Sequence, residues 1–429
     1  MGDQTQASLA EAQKIGDIAI SAKDRGVLVT LAERVAACAA DPINDVKRDL
    51  WYRHNALEPT RPVIFCDPEN GWGEIITERD LACEGDLART WEMTLQKELF
   101  WGESMGDDRV VTGIFDVPHV YEESDWGMHE TIMGGQDGGS YVWDPPLKNW
   151  DEDFGRLRFP SITVDHEATD RLYSLANDLF NGALDVRVGN PWWWTLGMTW
   201  TLVNLRGLMR IMYDCFDYPV ELKRLMAFLR DGTLAKLDYL ERDGLLRLNN
   251  DGTYVGSGGF GWTRELPAAG GRKGCVRTAD MWGFCESQET STWSPEMFGE
   301  FIFPYQLPIL ERFGLNCYGC CEPLDKRWDI VRRIPRLRRV SVSPWADAAV
   351  MAEMLGSEYI YSLKPIPTDI AVGIIDEGRI RKNLRRVIGT CRGTRLEIVM
   401  KDNHTIGKNP DNVIRWCAIA REEAEAFRP

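Results

Sequence analysis

Several things are scarce or missing in this chain, and each absence narrows the reading. Histidine occurs only 5 times in 429 residues, so imidazole chemistry is confined to a few positions. Basic residues are outnumbered, 50 Lys and Arg against 66 Asp and Glu, which leaves a net charge of −16. With no basic stripe, nucleic acid is not an expected partner. The acidity reads first as solubility, and second as a surface for a basic partner protein. No run of about 18 apolar residues exists, so no membrane span is predicted. The start, MGDQTQASLAEAQKIGDIAI, has no cationic segment followed by an apolar run, so no signal peptide is expected. Gly2 is present, but the sixth position is not Ser or Thr, so the myristoylation pattern is not met. There is no internal repeat and no low-complexity segment. The 11 cysteines are odd in number and scattered, which excludes a disulfide framework and points to reduced thiols in a cytoplasmic compartment.

What is present is ordinary in bulk and unusual in detail. The chain is 44% hydrophobic and 27% charged, enough for a large core. The length allows two or three domains, or one α/β barrel with extensions, since such barrels take roughly 250 residues and tolerate insertions. Tryptophan is abundant, at 17 residues. Trp72, Trp126, Trp143 and the run Trp192-Trp193-Trp194 fall in loop-like stretches. Packing at the ends of strands accounts for most of them. An aromatic pocket for a planar or apolar ligand is the functional alternative.

Along the chain, residues 7–56 carry apolar positions at helical spacing. A strand at 61–76 breaks into a Gly/Pro/Asn loop, and 81–100 reads as helix. Residues 109–123 alternate like strand. A long polar loop over 124–153 follows, of the length that is functional or mobile in compact domains, with His129 and Glu130 in it. After about residue 160 strand and helix alternate with short connections. That rhythm predicts a parallel sheet, and the number of units predicts a closed (β/α)8 TIM-type barrel over 156–429. Residues 1–155 read as an N-terminal helical and loop extension capping it.

In such a barrel the residues just past each strand converge on one rim. Here they are Asn190 with the tryptophans, Cys285 to Glu289, Cys317 to Glu322, Ser343 to Trp345, Lys364, and Lys401 to His404. Thiol, carboxylate, amine and imidazole thus meet from different strands. Zinc takes Cys, His and Glu from separate strands and keeps a position open, so Cys317, Cys321, His404 and Glu289 are candidate ligands. A lone C-x-x-C such as Cys317 to Cys320 is a weak signal, and with no second pair at the right spacing a structural zinc ribbon is excluded. Against ligation stands the reading of these cysteines as small buried hydrophobes. Glu286, Glu289 and His404 are the candidate acids and bases, with helix-start charge as the bland reading of the two glutamates. Trp192, Trp193, Trp262, Trp345, Lys364 and Asn403 are the candidate substrate-binding positions.

Three segments resemble the uroporphyrinogen decarboxylase superfamily, over about residues 160–429. They are NLRGLMRIMYDCFDYPVELKRLMAFL, SPEMFGEFIFPYQLPILERFG and LEIVMKDNHTIGKNPDNVIRWC. Together with CESQE and CYGCCEPLD they are similar to its corrinoid-linked methyltransferases, in the branch that removes methyl groups from methyl ethers. The resemblance implies a (β/α)8 barrel and transfer of a methyl group from a methoxylated aromatic to Co(I) of a separate corrinoid protein. It also implies a zinc ion held by His-x-Cys and a later Cys. Here those positions are Asn316, Tyr318 and a place near His404, so the triad is not reproduced. The arginine-rich motif of the decarboxylases is absent too. A carboxylated substrate would want Lys364 or Arg264. Thiol alkylation or a decarboxylase-like lyase on the same barrel, and a non-catalytic binding barrel, are the other readings. A homodimer is left open.

Overall fold

The computed structural model describes residues 18–134, 141–268 and 274–427. The expected helix before residue 18 lies outside them. Among the described residues the fold is mixed α/β around a six-stranded, all-parallel sheet. Its strands are β1 (Val63–Cys66), β8 (Trp282–Cys285), β9 (Leu315–Tyr318), β10 (Leu337–Val342), β11 (Ile360–Leu363) and β12 (Arg395–Met400), in the spatial order β1-β12-β11-β10-β9-β8. Register runs Val63 opposite Glu397, Ile360 opposite Arg395 and Trp282 opposite Leu315. Strands β1, β8, β9 and β11 are buried along their whole length, as a sheet covered on both faces requires. Because β1 pairs with β12, the N-terminal 155 residues do not all lie outside the sheet.

The ladder does not close into the expected eight-stranded barrel. Side chains take over where backbone pairing stops. At the β1 edge, the Asp108 amide donates to the Ile64 carbonyl (2.8 Å), the Ile64 amide to Asp108 Oδ2 (2.9 Å) and the Cys66 amide to Asp107 Oδ2 (3.1 Å). At the β8 edge, Asn249 receives the Trp282 amide at Oδ1 (2.9 Å) and donates from Nδ2 to the Trp282 carbonyl (3.0 Å). The strand expected at 245–250 is not formed; the segment joins β8 only through the side chain of Asn249. An edge bonded this way offers nothing for another strand to extend.

Six further strands form three pairs. Strand β2 (Ile114–Val117) runs parallel to β7 (Asp185–Val188), and β3 (Val120–Glu123) antiparallel to β6 (Ile162–Asp165). The polar loop expected over 124–153 contains a hairpin, β4 (Thr131–Gly134) with β5 (Tyr141–Asp144). The β2–β7 pair has its own small core, in which Phe115 of β2 packs with Leu28, Trp91, Leu172 and Phe180 from the helices Ala22–Ala39, Asp86–Phe100 and His166–Phe180.

The helix expected before β9 is two pieces, Pro295–Phe301 and Phe303–Leu310. Pro304 lacks an amide proton, so the ladder breaks between them. Over the inner face of the sheet lies the loop Tyr254–Phe260, closed by a bridge between its ends. Its glycines let backbone touch the sheet. A Cβ at Gly256, where φ is +71°, would come within 2.8 Å of Cys317 Cβ, and one at Gly259 within 2.9 Å of the Arg339 guanidinium carbon.

Candidate functional site

The site is built from the segments that follow the parallel strands. After β8 the chain passes through Glu286, Ser287, Gln288 and Glu289. The Glu286 carbonyl accepts from Gln306 Nε2 (2.8 Å), which also bonds the Gly197 carbonyl (2.7 Å). The Glu286 carboxyl is fully buried. Its Oε2 accepts the Gln288 amide at 2.8 Å, and its Oε1 has no hydrogen-bond partner. Burial raises its pKa well above the usual carboxylate range, and the charges of Glu289 and Glu322 push the same way. Glu289 accepts from the Thr199 hydroxyl (2.6 Å) and the Gln288 side-chain amide (3.2 Å).

Glu322, at the end of the cysteine loop, locks that loop to β8. Its Oε1 accepts the Ser287 amide (2.8 Å), and its Oε2 accepts the Cys320 amide (2.9 Å). Arg327 donates to Ser287 Oγ (3.1 Å) and to the Trp293 carbonyl (3.0 Å). Tyr318 donates to Gln306 Oε1 (2.7 Å). Neither Glu322 nor Arg327 carries a motif that would single it out beyond nearness to the cysteines.

The cysteines separate by environment. Cys317 is buried under Gly256, with the Arg339 guanidinium at 3.8 Å, and burial pushes its thiol up to about 11. Cys320 sits 3.7 Å from Cys321, sulfur to sulfur, and accepts from Ser257 Oγ at 3.2 Å. The neighbouring thiol and burial raise its pKa well above the usual thiol range. Cys321 is half-buried, 3.7 Å from Asp402. His404 is exposed, with Nδ1 3.5 Å from Asn70 Nδ2. Glu289 belongs to the Thr199 side. Cys317, Cys321, His404 and Glu289 are therefore not gathered into one set. Among the described residues no three His, Cys, Asp or Glu side chains are placed to share a metal ion. Asn316 is a structural amide, donating to the Leu310 carbonyl (2.9 Å) and the Pro335 carbonyl (2.7 Å). The donor set as arranged does not fit zinc.

Beside the cysteines lies a second charged group, from the ends of β1, β11 and β12. Lys401 Nζ stands 3.3 Å from Asp402 and 3.6 Å from Glu69. Burial raises Glu69 to about 7 against the opposing Lys401 charge. Lys364 is buried, donates to Ser362 Oγ (2.6 Å), and is lowered by burial to about 8. Ser362 passes on to Glu397, which also holds His54 (3.0 Å) and Arg339 (2.9 Å). Asn403 donates from Nδ2 to the Asp67 carbonyl (2.7 Å) and fixes the rim loop of β12 to that of β1.

Two cavities share the wall Trp192-Trp193-Trp194. One, of about 510 Å³, fills the break in the sheet between the β2–β7 pair and β8. Its arginines are neutralised: Arg187 and Arg247 by Asp116, and Arg109 by Glu98. The other, of about 360 Å³, has Glu289 and Gln288 in its wall, with Trp126 and Trp200. Of the candidate substrate-binding residues, Trp192 and Trp193 line both cavities. Trp262 lines neither and packs edge-on to Tyr52 at 5.6 Å. Trp345 is 77% exposed. Lys364 and Asn403 are outside both linings. Arg264 stacks on Tyr52, 4.3 Å from its ring centre.

No family model matches the chain. No curated protein matches it either. Among solved structures, a methyltransferase from Methanosarcina mazei aligns with a TM-score of 0.49 and 11% identity, over 88% of this chain and 97% of that one.

Proposed function

We propose that this chain is a methyltransferase that cleaves a small methyl ether, such as a methoxylated aromatic, and passes the methyl group to Co(I) of a corrinoid protein. The observation that carries the reading is Glu286. Its carboxyl is fully buried with an unpartnered oxygen and a pKa raised well above the usual carboxylate range; it lies behind the cavity wall, two and three residues from Gln288 and Glu289, which line the tryptophan-walled cavity. A phenolate is a poor leaving group, so ether cleavage needs a proton at the ether oxygen. Methyl transfer to the corrinoid would leave the C–O pair on the ether oxygen, and a proton drawn from Glu286, behind the Gln288–Glu289 wall, would go to that oxygen. The products are methylcorrinoid, a phenol and the Glu286 carboxylate. The tryptophan wall supplies flat apolar surface for an aryl ring and excludes water. The sequence resemblance stated above supports the same chemistry. No step is routed through a metal ion, because the candidate ligands are not gathered.

The test is methyl transfer from a panel of methoxyarenes to reduced cobalamin, followed by the loss of the Co(I) absorbance. Turnover that falls at least about 100-fold in Glu286→Gln supports the reading, in line with the usual worth of a positioned proton donor. No transfer across the panel sinks it.

A further inference from the structure

The smaller cavity has a composition that goes further than an aromatic slot. Trp126, Trp192, Trp193, Trp194, Trp200 and Tyr121 all line it. Three carboxylates, Glu123, Asp125 and Glu289, face it against one amine, Lys236. That amine is already spent: Lys236 Nζ pairs with Glu123 at 2.7 Å. Asp125 accepts the Gly127 amide (2.7 Å) and faces His129 at 3.3 Å. Glu289 takes only neutral donors, the Thr199 hydroxyl and the Gln288 amide. Among the described residues no Lys, Arg or His pairs with it. Trp194 already shows how these rings accept charge, since Lys401 Nζ lies 6.0 Å from its centroid on the inner side. Lys364 and Arg264, the two cations a carboxylated ligand would need, are elsewhere in the fold.

We infer that this cavity is a site for a small methylated onium cation, of the trimethylammonium or dimethylsulfonium class. The inference rests on the reading of the tryptophan cavity as the methyl-donor site and commits its ligand to positive charge. Indole faces attract a cation whose methyl groups also bury against them, and a carboxylate with no internal counter-ion completes the match. A volume of about 360 Å³ holds a head of that size with a short tail. Such a cation is a second donor class for this cavity beside the methyl ether. Its methyl group would pass to the same Co(I) acceptor and the C–N or C–S pair would stay on the heteroatom, leaving a neutral amine or sulfide, so this donor, unlike the ether, would draw no proton from Glu286.

The experiment is calorimetric titration of the full chain with choline and with 3,3-dimethyl-1-butanol, its uncharged isostere, at low ionic strength. Choline binding about tenfold or more tighter than the isostere, reduced about tenfold by Glu289→Gln and by Trp193→Ala, supports the site. Circular dichroism of the two variants checks that they fold, and Glu289→Asp keeps the charge and should retain most of the affinity. Equal binding of cation and isostere, or binding of neither, overturns the inference. The methyl-transfer test is separate. Choline that binds without any donor turning over would overturn the enzyme reading and leave the cation site standing.

Discussion

Replacing Glu286 by Gln tests the central claim about this site without any knowledge of substrate. In the folded chain the carboxyl is raised well above the ordinary 4.5, by burial first and by Glu289 and Glu322 next. In the unfolded chain it titrates near the ordinary value. Between those two values the native state holds one proton more than the unfolded state. Its contribution to stability is therefore full below about pH 4.5 and is lost as pH rises, by about 1.4 kcal/mol per pH unit. Gln does not titrate. From pH 5.5 to 7.0 the wild type should thus lose stability relative to Glu286→Gln, by at most about 1.4 kcal/mol per pH unit. Asp107 and Glu69, raised to about 6 and about 7, also titrate near this range. They are present in both proteins and cancel in the difference. Urea unfolding of both proteins at pH 5.5, 6.25 and 7.0 gives the difference directly, provided the slopes with denaturant agree. Parallel profiles, with the difference changing by less than about 0.5 kcal/mol, would mean that Glu286 is ionised in the fold. The proton-donor argument would then be refuted.

Three further outcomes concern the interior and the rim. Glu397 is fully buried: burial works against its charge, but the charge of Arg339 and the His54 bond win, holding its pKa at about 2. Glu397→Leu should cost about 3–5 kcal/mol by urea unfolding, because it strands the Arg339 guanidinium, and Arg339→Met in the same chain should recover most of the loss; a cost below about 1 kcal/mol would show that the network is relaxed by water. At the rim, brief iodoacetamide treatment followed by peptide mass analysis should modify half-buried Cys321 well ahead of buried Cys285, Cys317 and Cys320. Protein purified without chelator should carry well under one zinc per chain; a full equivalent, lost in Cys321→Ser, would mean that the rim loops regroup around a metal.

Much of the fold was legible because strand patterning here is strong. The runs around Phe284, Val340, Tyr361 and Ile398 are apolar, short and bounded by turn residues, and each is a strand of the parallel sheet. What could not be read was closure. LLRLNN has the pattern of a strand, yet Asn249 satisfies β8 through its side chain, and Asp107 and Asp108 do the same for β1. A side-chain amide or carboxylate in place of a backbone ladder leaves no periodic trace.

The candidate site divides in the same way. Position after a strand brought Glu286, Glu289 and Cys321 to notice, and it is a sound rule because parallel strands deliver their C-terminal ends to one side. Residue type alone could not say which of them meet. Cys317 lies only three residues from Cys320, but the alternation of a strand turns it inward, under Gly256 and against Arg339, while the loop turns Cys320 toward Ser257. Both sulfurs thus meet the same loop, and among the described residues they still gather no third ligand for a metal. Tryptophan shows the converse. Trp262 and Trp345 share a residue type with Trp193, and nothing local distinguishes them. Of the three, Trp193 lines both described cavities, because it stands in the run of three consecutive indoles between β7 and the helix Thr199–Arg206, where the two cavities meet.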